Sequence, residues 1–335
     1  MMKLEEIQNV AVIGAGTMGS SMALVFSQHG YHVTLYSRRQ ETRDKAKSVL
    51  MSSLATMTEL GLLKQEEIDP IVGRVVLTGS LKEAASDAHV ICETVAERRD
   101  VKRDMFDRLD KICPPETIFT SNTSSLNIFE LVPETRLPNT VIAHFFAPPH
   151  LVPLVEVVRG EKTRSEVMDL MMELLKKAGR TPVRMENFIS GFVINRLYRA
   201  LGREAFFLLD HGYVTADQLD LAAKVALAPR MMFLGIIQRY DFTGLDISWN
   251  NLQNPDFVDP PADNQPKSLK ELVEKGHLGV KTGKGFFDYN GKKLVDILKE
   301  RDRKLIRVMQ DLEMCLSESC VSRMRVDELD NRQNI

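Results

Sequence analysis

One segment constrains the fold of this chain more than any other: VAVIGAGTMGSSMALVFSQHG. A short β-branched run is followed at once by Gly14, Gly16 and Gly19, and then by a helical pattern. The first glycine permits a tight turn, the second lets the backbone approach a pyrophosphate, and the third lets the helix pack closely on a sheet. The start of the helix, at Thr17 and Met18, supplies N–H groups and a partial positive charge for phosphates. The segment predicts a dinucleotide site, although a plain strand-to-helix turn would also explain the glycines.

The residues after the next strand bear on which dinucleotide is bound. An Asp or Glu there would accept hydrogen bonds from the 2′-hydroxyl of the adenosine ribose of NAD. The sequence instead places Ser37, Arg38 and Arg39 after HVTLY. Guanidinium groups pair with a 2′-phosphate, and each charge-assisted hydrogen bond contributes about 1.5–3 kcal/mol. The pattern favours NADP; NAD is the alternative if both arginines are surface charges and Ser37 binds an unphosphorylated ribose.

Short apolar runs alternate with longer helical patterns through about residue 185. The runs are VAVI, HVTLY, HVIC, TIFTS, TVIAHF and LVEVV. Runs that are buried on both faces and separated by helices are typical of βαβ units. The expected fold is therefore α/β, with a Rossmann-type, doubly wound and mostly parallel sheet followed by an all-helical second domain.

The pattern of the sequence changes near Asn187. From there, apolar residues recur at helical spacing and strand-like runs almost vanish. We expect an NAD(P)-binding domain over residues 1–187, a helical substrate-binding and dimerisation domain over 188–292, and a C-terminal helical extension over 293–335. The apolar faces of the second domain, such as FVINRLYRALGREAFFLL, favour a homodimer, and one compact helical bundle is the alternative.

Composition excludes several classes of function. A formal net charge of −2 and a pI near 6.4 give no basic excess that would bind nucleic acid or an anionic membrane surface. No stretch approaches about 18 uninterrupted apolar residues, so we expect no membrane span. The four cysteines lack the paired spacing of a zinc site or a disulfide framework. We therefore expect no bound metal, and reduced thiols in a cytoplasm.

Further segments carry a resemblance to a known family. They are ICETVAERRDVKRDMF, TSNTSSLNIFELV, AHFFAPPHLVPLVEV, SGFVINRL and GLDISWN, in that order. Together they resemble the 3-hydroxyacyl-CoA dehydrogenase family over roughly residues 8–290. The resemblance implies a reversible transfer of a hydride between NAD(P) and the 3-hydroxyl carbon of a 3-hydroxyacyl-CoA.

Such a reaction needs a group that removes the hydroxyl proton. Histidine suits this role, because its reference pKa of about 6.5 lets it exchange a proton at physiological pH. His144 follows the run TVIA, and Glu156 places a carboxylate in the otherwise apolar LVEV, which is costly unless it is paired. The resemblance implies a pair in which Glu156 orients the imidazole of His144 and stabilises its protonated form. A core histidine packed beside Phe145 and Phe146 is the alternative.

Other polar residues match family positions around the reacting oxygen and the cofactor. Ser124, in SNTSSL, and Asn195, in FVINRL, can each hydrogen-bond a hydroxyl or a developing alkoxide. Their alternative roles are a helix N-cap for the serine cluster and a helix-surface amide for Asn195. Glu97 and Lys102 match positions near the nicotinamide ribose, though a charged helix is ordinarily a solvated surface. Asn122 ends a strand beside the cofactor and is a further candidate.

The substrate is less constrained than the chemistry. Ser53 matches a serine that contacts CoA in the family, and Arg196 and Arg230 are candidate substrate ligands. Ala147 replaces an asparagine common in the family, and PPHLVPLVEV resembles the branch that acts on free hydroxy acids. Arg230 could bind a substrate carboxylate or pair with an acid such as Asp241. We expect a CoA thioester; a free 3-hydroxy acid is the first alternative, and a non-enzymatic cofactor-binding structural protein is the second.

Overall fold

A computed structural model describes residues 2–317 of the chain. The chain divides into two compact units between Arg199 and Ala200. The last part of the predicted C-terminal extension, residues 318–335, lies outside the described residues.

The division between the units falls later in the chain than residue 187, where the sequence pattern changes. The reason is a local tether. Backbone N–H groups of Val193 and Ile194 donate to the carboxylate of Glu156, which lies in the sheet of the first unit. The first residues of the helix that begins at Ile194 are therefore part of the same compact unit as the sheet.

The first unit is built around one eight-stranded sheet. Its strands are β1 (Asn9–Ile13), β2 (His32–Tyr36), β3 (Val75–Thr78), β4 (Val90–Glu93), β5 (Ile118–Ser121), β6 (Thr140–Phe145), β7 (Leu154–Arg159) and β8 (Thr181–Met185). Their order in the sheet is β3-β2-β1-β4-β5-β6-β7-β8, and every neighbouring pair is parallel except β6 with β7. The expected mostly parallel sheet is confirmed. The two edge strands, β3 and β8, were not among the expected runs.

Helices cover both faces of this sheet. They are α1 (Thr17–Gln28), α2 (Gln40–Glu59), α3 (Ile68–Gly73), α4 (Leu81–Ala85), α5 (Arg99–Asp110), α6 (Ser165–Lys177) and the start of α7 (Ile194–Asp210). One buried cluster contains Phe26 of α1 and Leu174 of α6, and a second contains Phe106 of α5 and Phe119 of β5. Burying a side chain of this size contributes about 1.5–3 kcal/mol, so these clusters hold the helices to the sheet.

The second unit is helical, as expected. It contains the rest of α7, then α8 (Ala216–Ala222), α9 (Ala228–Phe233), α10 (Gln238–Thr243), α11 (Leu245–Leu252), α12 (Lys267–Glu274) and α13 (Leu294–Ser317). Within its described part, the only buried residues are Ser248, Pro266 and Ile306. None of the helices in the described part of the chain has the length and hydropathy needed to cross a membrane.

Candidate active site

The glycine loop between β1 and α1 has the backbone that a pyrophosphate-binding turn requires. Gly14 has a φ of 120°, and a Cβ on it would lie 2.7 Å from the carbonyl oxygen of Thr94. A Cβ on Gly19 would lie 1.8 Å from the carbonyl oxygen of Gly14, so neither position tolerates a side chain. At Gly16, in contrast, nothing lies within 4 Å of an ideal Cβ. That open space beside the backbone fits the close approach of a phosphate.

The first turn of α1 supplies the complementary charge. Gly16 is the N-cap residue, followed by Thr17, which is exposed, and Met18, which is half-buried. N–H groups in the first turn of a helix have no acceptor within that helix, and the helix dipole adds a partial positive charge. Loop and helix together fit the pyrophosphate of a dinucleotide.

The end of β2, where the adenosine ribose of a dinucleotide would lie, carries three arginines. Arg38 and Arg39 are exposed, and Ser37 is half-buried. Arg43, which no sequence pattern marked, donates from its guanidinium to the backbone oxygen of Ser37 at 2.5 Å. A Cβ on Gly79 would lie 2.9 Å from Nη1 of Arg43, so the guanidinium rests against the backbone that follows β3. A phosphate at this edge of the sheet would meet positive charge.

His144 and Glu156 face each other across the antiparallel strands β6 and β7. They are directly opposed in the register of the two strands, and Nδ1 of His144 lies 2.8 Å from Oε2 of Glu156. Both residues are buried, with 4% and 1% of their surface exposed. Directly opposed residues of antiparallel strands have adjacent side chains, which explains the contact. The structure thus brings together the two residues that were expected to act as a pair.

The second carboxylate oxygen of Glu156 is held as well. Oε1 accepts hydrogen bonds from the backbone N–H groups of Val193 and Ile194, each at 2.9 Å, at the start of α7. A helix N-terminus favours negative charge, and a carboxylate in such a position only accepts hydrogen bonds. Nδ1 of His144 then carries the proton in the contact with Glu156, because one of the two atoms must donate. Nε2 is left as the nitrogen that can take a proton.

The surroundings of the imidazole fix it further. The ring centroids of Phe146 and Phe192 lie 4.5 Å and 5.3 Å from that of His144. Oδ1 of Asn122 accepts a hydrogen bond from the backbone N–H of Phe145 at 2.7 Å. Asn122 therefore ties the end of β5 to the end of β6, next to the histidine. This contact places it at the candidate site, while its role as a cofactor ligand stays a prediction.

The loop after β5 brings Ser124 and Asn195 together. Nδ2 of Asn195 donates to the backbone oxygen of Ser124 at 3.4 Å. Oε1 of Glu97 organises the same loop, because it accepts from Oγ1 of Thr123 at 2.6 Å and from the backbone N–H groups of Ser124 and Ser125 at 2.9 and 3.3 Å. These bonds use the backbone of Ser124 rather than its hydroxyl. The hydroxyl is thus the part of Ser124 that could bind a substrate oxygen.

A buried charge cluster that was not expected lies beside this loop. Nζ of Lys102 lies 2.9 Å from each carboxylate oxygen of Glu93 and 3.2 Å from Oε2 of Glu97. Glu93 and Lys102 are 0% and 1% exposed, which excludes a solvated surface for Lys102. The sequence held a signal for Glu93, since it directly follows the apolar run HVIC. A carboxylate there is as costly without a partner as Glu156 is in LVEV.

The pKa values of the two carboxylates shift in opposite directions. Burial raises the pKa of Glu93, and the charge of Lys102 and the hydroxyl of Ser121 oppose that increase. Burial also acts to raise the pKa of Glu97, but the Thr123 hydroxyl and the Lys102 charge outweigh it and hold that pKa below its usual value. Glu97 therefore stays a carboxylate, and can accept hydrogen bonds, at neutral pH.

The three expected substrate ligands are spread along the chain. Ser53 is half-buried on α2, and Arg196 is exposed in the first turn of α7. Arg230 is exposed on α9 of the second unit. No hydrogen bond or ion pair joins any two of them within the described residues, and their roles stay predictions.

Two domain families together match most of the chain. The 3-hydroxyacyl-CoA dehydrogenase NAD binding domain matches residues 9–188, and the 3-hydroxyacyl-CoA dehydrogenase C-terminal domain matches residues 191–289. The chain belongs to the 3-hydroxyacyl-CoA dehydrogenase family. It is an NAD-dependent oxidoreductase that acts on a CH–OH group, which favours the enzymatic interpretation over a structural protein.

Individual relatives of this dehydrogenase differ in the substrates that they are named for. A probable 3-hydroxybutyryl-CoA dehydrogenase of Bacillus subtilis is 35% identical, over 86% of this chain and 99% of its own length. The L-carnitine dehydrogenase of Streptomyces coelicolor is 29% identical, over 91% of this chain and 95% of its own length. A solved 5-formyl-3-hydroxy-2-methylpyridine 4-carboxylic acid 5-dehydrogenase superposes with a TM-score of 0.82 at 30% identity, and covers 92% of this chain and 99% of its own.

Proposed function

We propose that this dehydrogenase interconverts a 3-hydroxyacyl-CoA and the corresponding 3-oxoacyl-CoA. The observation that carries the proposal is the buried contact between Nδ1 of His144 and Oε2 of Glu156. With Glu156 bound to the start of α7, that contact leaves Nε2 of His144 as a general base of fixed orientation. The nicotinamide ring of the bound cofactor supplies the hydride acceptor.

In the oxidative direction, Nε2 of His144 takes the proton of the 3-hydroxyl as the hydride leaves the same carbon. The imidazole becomes positively charged at that moment, and the carboxylate of Glu156 stabilises it through the proton on Nδ1. In the reductive direction His144 returns the proton to the 3-oxo oxygen. Because one residue performs both roles, the arrangement supports a reversible reaction.

The polar residues near the loop after β5 complete the proposed site. The hydroxyl of Ser124 and the amide of Asn195 hold the reacting oxygen, which carries the developing negative charge. Glu97 accepts hydrogen bonds from the nicotinamide ribose, since 40% of its side chain is exposed, whereas Lys102 is buried and supports Glu97 from within. Asn122 contributes from the end of β5.

We also propose that NADP(H) is preferred to NAD(H). The support is the group of arginines at the end of β2, Arg38, Arg39 and Arg43, together with Ser37 in place of the acid that would bind the ribose of NAD. Ser37 could still bind an unphosphorylated ribose, so NAD remains a usable cofactor in this proposal.

A second candidate substrate is a free 3-hydroxy acid. The solved relative with the TM-score of 0.82 is named for a pyridine carboxylic acid, and it covers more of this chain than the Bacillus 3-hydroxybutyryl-CoA enzyme does. Arg230 would bind the carboxylate in this case, because a guanidinium matches a carboxylate with two parallel hydrogen bonds. Ser53, which would contact CoA, would then have no role in substrate binding.

One experiment separates the two substrates. Purified protein is assayed with 3-hydroxybutyryl-CoA and with free 3-hydroxybutyrate, each with NAD and with NADP, and kcat/KM is compared. The proposal expects turnover of the thioester at least about tenfold more efficient than that of the acid, which corresponds to about 1.4 kcal/mol. Efficient turnover of the acid that is lost in the Arg230→Ala variant would establish the second candidate instead.

We further propose a homodimer and a cytoplasmic location. The dimer is supported by the exposure of large apolar residues on the helices of the second unit, among them Phe242 of α10 and Trp249 of α11, which are 65% and 66% exposed. The cytoplasmic location is supported by the buried free thiols of Cys92 and Cys113, which fit a reducing compartment. Sedimentation of the purified chain at several concentrations tests the dimer.

A further inference from the structure

The end of β4 carries Glu93, a side chain of the candidate site whose two carboxylate oxygens are both hydrogen-bonded. Glu93 accepts two hydrogen bonds from Nζ of Lys102, both at 2.9 Å, one from Oγ of Ser121 and one from the backbone N–H of Val95 at 2.6 Å. It is directly opposed to Ser121 in the register of β4 and β5. Glu93 and Ser121 are the last residues of β4 and β5, and Lys102 reaches them from α5, so the cluster lies at the carboxyl ends of the parallel strands, where ligands bind in sheets of this kind.

The cluster has an inner and an outer carboxylate that share one ammonium group. The inner one, Glu93, binds Lys102 with both oxygens at 2.9 Å, whereas the outer one, Glu97, reaches it with one oxygen at 3.2 Å. The other oxygen of Glu97 is occupied by Thr123 and by the backbone of Ser124. The charge of Lys102 is thus neutralised mainly by Glu93. Oε1 of Glu97 remains free of the lysine and bonds the loop after β5.

We propose that Glu93 is a positioning residue for the reaction: it holds the ammonium of Lys102 so that Glu97 keeps the loop of Ser124 and the cofactor ribose in place. This inference rests on the proposed function of Ser124 and Glu97. It assigns no contact with substrate or cofactor to Glu93 itself, which is fully buried.

The physical reason is competition for charge. Without the carboxylate of Glu93, the buried ammonium of Lys102 would have Glu97 as its remaining anionic partner within the cluster. An unpaired buried charge is costly, so Lys102 would draw Glu97 inward. Glu97 would then release the hydroxyl of Thr123 and the N–H of Ser124, and the loop would lose the acceptor that shapes it.

Two substitutions at the same position separate positioning from packing. Glu93→Gln keeps the volume of the side chain and removes its charge, whereas Glu93→Asp keeps the charge and removes a methylene group. The proposal expects Glu93→Gln to lower kcat about tenfold or more. The Kd for NADH or NADPH should rise, as it should in Glu97→Gln. Glu93→Asp should change both kcat and the cofactor Kd less than Glu93→Gln does. A packing role demands the opposite order.

The matched control is Glu134→Gln, which removes a carboxylate from an exposed ion pair with Lys162 in the same unit. Its kcat and cofactor Kd should stay within about twofold of those of the unsubstituted protein. The proposal is overturned if Glu93→Gln behaves like this control, or if Glu93→Asp is at least as damaged as Glu93→Gln.

A milder variant covers the case in which Glu93→Gln does not fold. Ser121→Ala removes one donor to Glu93, removes the acceptor of the Thr123 N–H and leaves Lys102 untouched. It should change kcat and cofactor Kd about two- to fivefold in the same direction as Glu97→Gln, and values equal to those of the control overturn the proposal. Cofactor Kd is read from the fluorescence of NADH or NADPH and needs no turnover. If neither 3-hydroxybutyryl-CoA nor free 3-hydroxybutyrate is turned over, the proposed function fails. The cofactor Kd values of the variants still test the role of Glu93 in that case.

Discussion

The two units of the chain differ most in what they bury. The first unit, up to Arg199, has a sheet whose central strands are almost wholly buried and helices that cover both faces. In the described part of the second unit, large apolar side chains such as Ile237 and Phe257 are 77% and 73% exposed. Isolated apolar residues on a surface are ordinary, but a unit that is apolar outside and nearly without a core is not.

This difference indicates a division of labour. In the first unit the polar side chains of the candidate site bond to one another: His144 to Glu156, Glu97 to Thr123, and Lys102 to two carboxylates. Its geometry is therefore fixed by its own fold. The described part of the second unit instead exposes large apolar side chains and, at Arg230, a guanidinium group.

The largest effect is expected from His144→Ala in the first unit. Loss of the general base should lower kcat by about 10²–10⁴-fold on every substrate, because no other described side chain lies in its place between Glu156 and the two phenylalanines. Steady-state kinetics with the better substrate measures it. The comparison variant in the second unit is Arg230→Ala, which should leave kcat on a CoA thioester within about threefold.

Two results would contradict this assignment. Turnover that survives His144→Ala within about tenfold would remove the histidine from the chemistry. Equal losses in His144→Ala and Arg230→Ala, with the CoA thioester as substrate, would show that the chemistry is not confined to side chains of the first unit.

The next effect is on stability and separates the units directly. Phe119 is fully buried in β5 and stacks on Phe106 with 6.2 Å between ring centroids. Phe119→Ala should lower the free energy of unfolding by about 3–5 kcal/mol, through lost burial and a cavity. The matched control, Phe242→Ala, truncates a side chain that is 65% exposed and should cost less than about 1 kcal/mol in a monomer. Urea denaturation followed by circular dichroism measures both, and equal costs would refute the contrast.

Much of the fold was predictable because its signals are local and repeated. The apolar runs of the central strands and the glycines at 14, 16 and 19 each point to the same sheet. The edge strands β3 and β8 escaped because an edge strand is half-solvated, and its sequence alternates or carries charge, as Arg184 does in β8. Their existence depends on a neighbour in space, which no local pattern records.

The candidate site was predictable where a polar residue interrupts an apolar run, and less so where long-range geometry decides. Glu156 stood out in its strand, but its two bonds to the start of α7 come from residues 37 and 38 positions away. Arg43 reaches Ser37 only because α2 turns the side chain back over the end of β2. Glu93 carried the same signal as Glu156, a carboxylate beside an apolar run, and could therefore have been predicted from the sequence.

A smaller effect is expected at the cofactor edge of the first unit. The double variant Arg38→Ala, Arg39→Ala should lower kcat/KM for NADP by about ten- to a thousandfold, because each lost charge-assisted hydrogen bond removes about 1.5–3 kcal/mol. The value for NAD should change by less than about threefold. Parallel assays with both cofactors measure this. An unsubstituted protein that uses NAD as well as or better than NADP would already exclude the preference.

The second unit is tested by its surface. Ile237→Asp places a charge on a side chain that is 77% exposed and follows α9. If this surface lies in a dimer interface, the dissociation constant of the dimer should rise about ten- to a hundredfold, since charges are costly in the core of an interface. Sedimentation velocity over a concentration series measures the change. The control is Val76→Asp on the edge strand β3 of the first unit, at 51% exposure, which should leave the oligomeric state unchanged.

The smallest effect concerns Cys92, whose accessibility to a reagent reports whether the core of the first unit opens. Burial raises the pKa of the Cys92 thiol to about 12 from an ordinary value of 9.0. Between those two values the folded chain keeps the proton and the unfolded chain loses it. The contribution of this thiol to stability is therefore intact below about pH 9 and declines as the pH rises towards 12.

At pH 8, iodoacetamide should leave Cys92 unlabelled in the native protein and label it after denaturation, as peptide mass spectrometry would show. Labelling at equal rates in both states would mean that β4 opens readily, and the contrast between a closed first unit and an open second one would not hold.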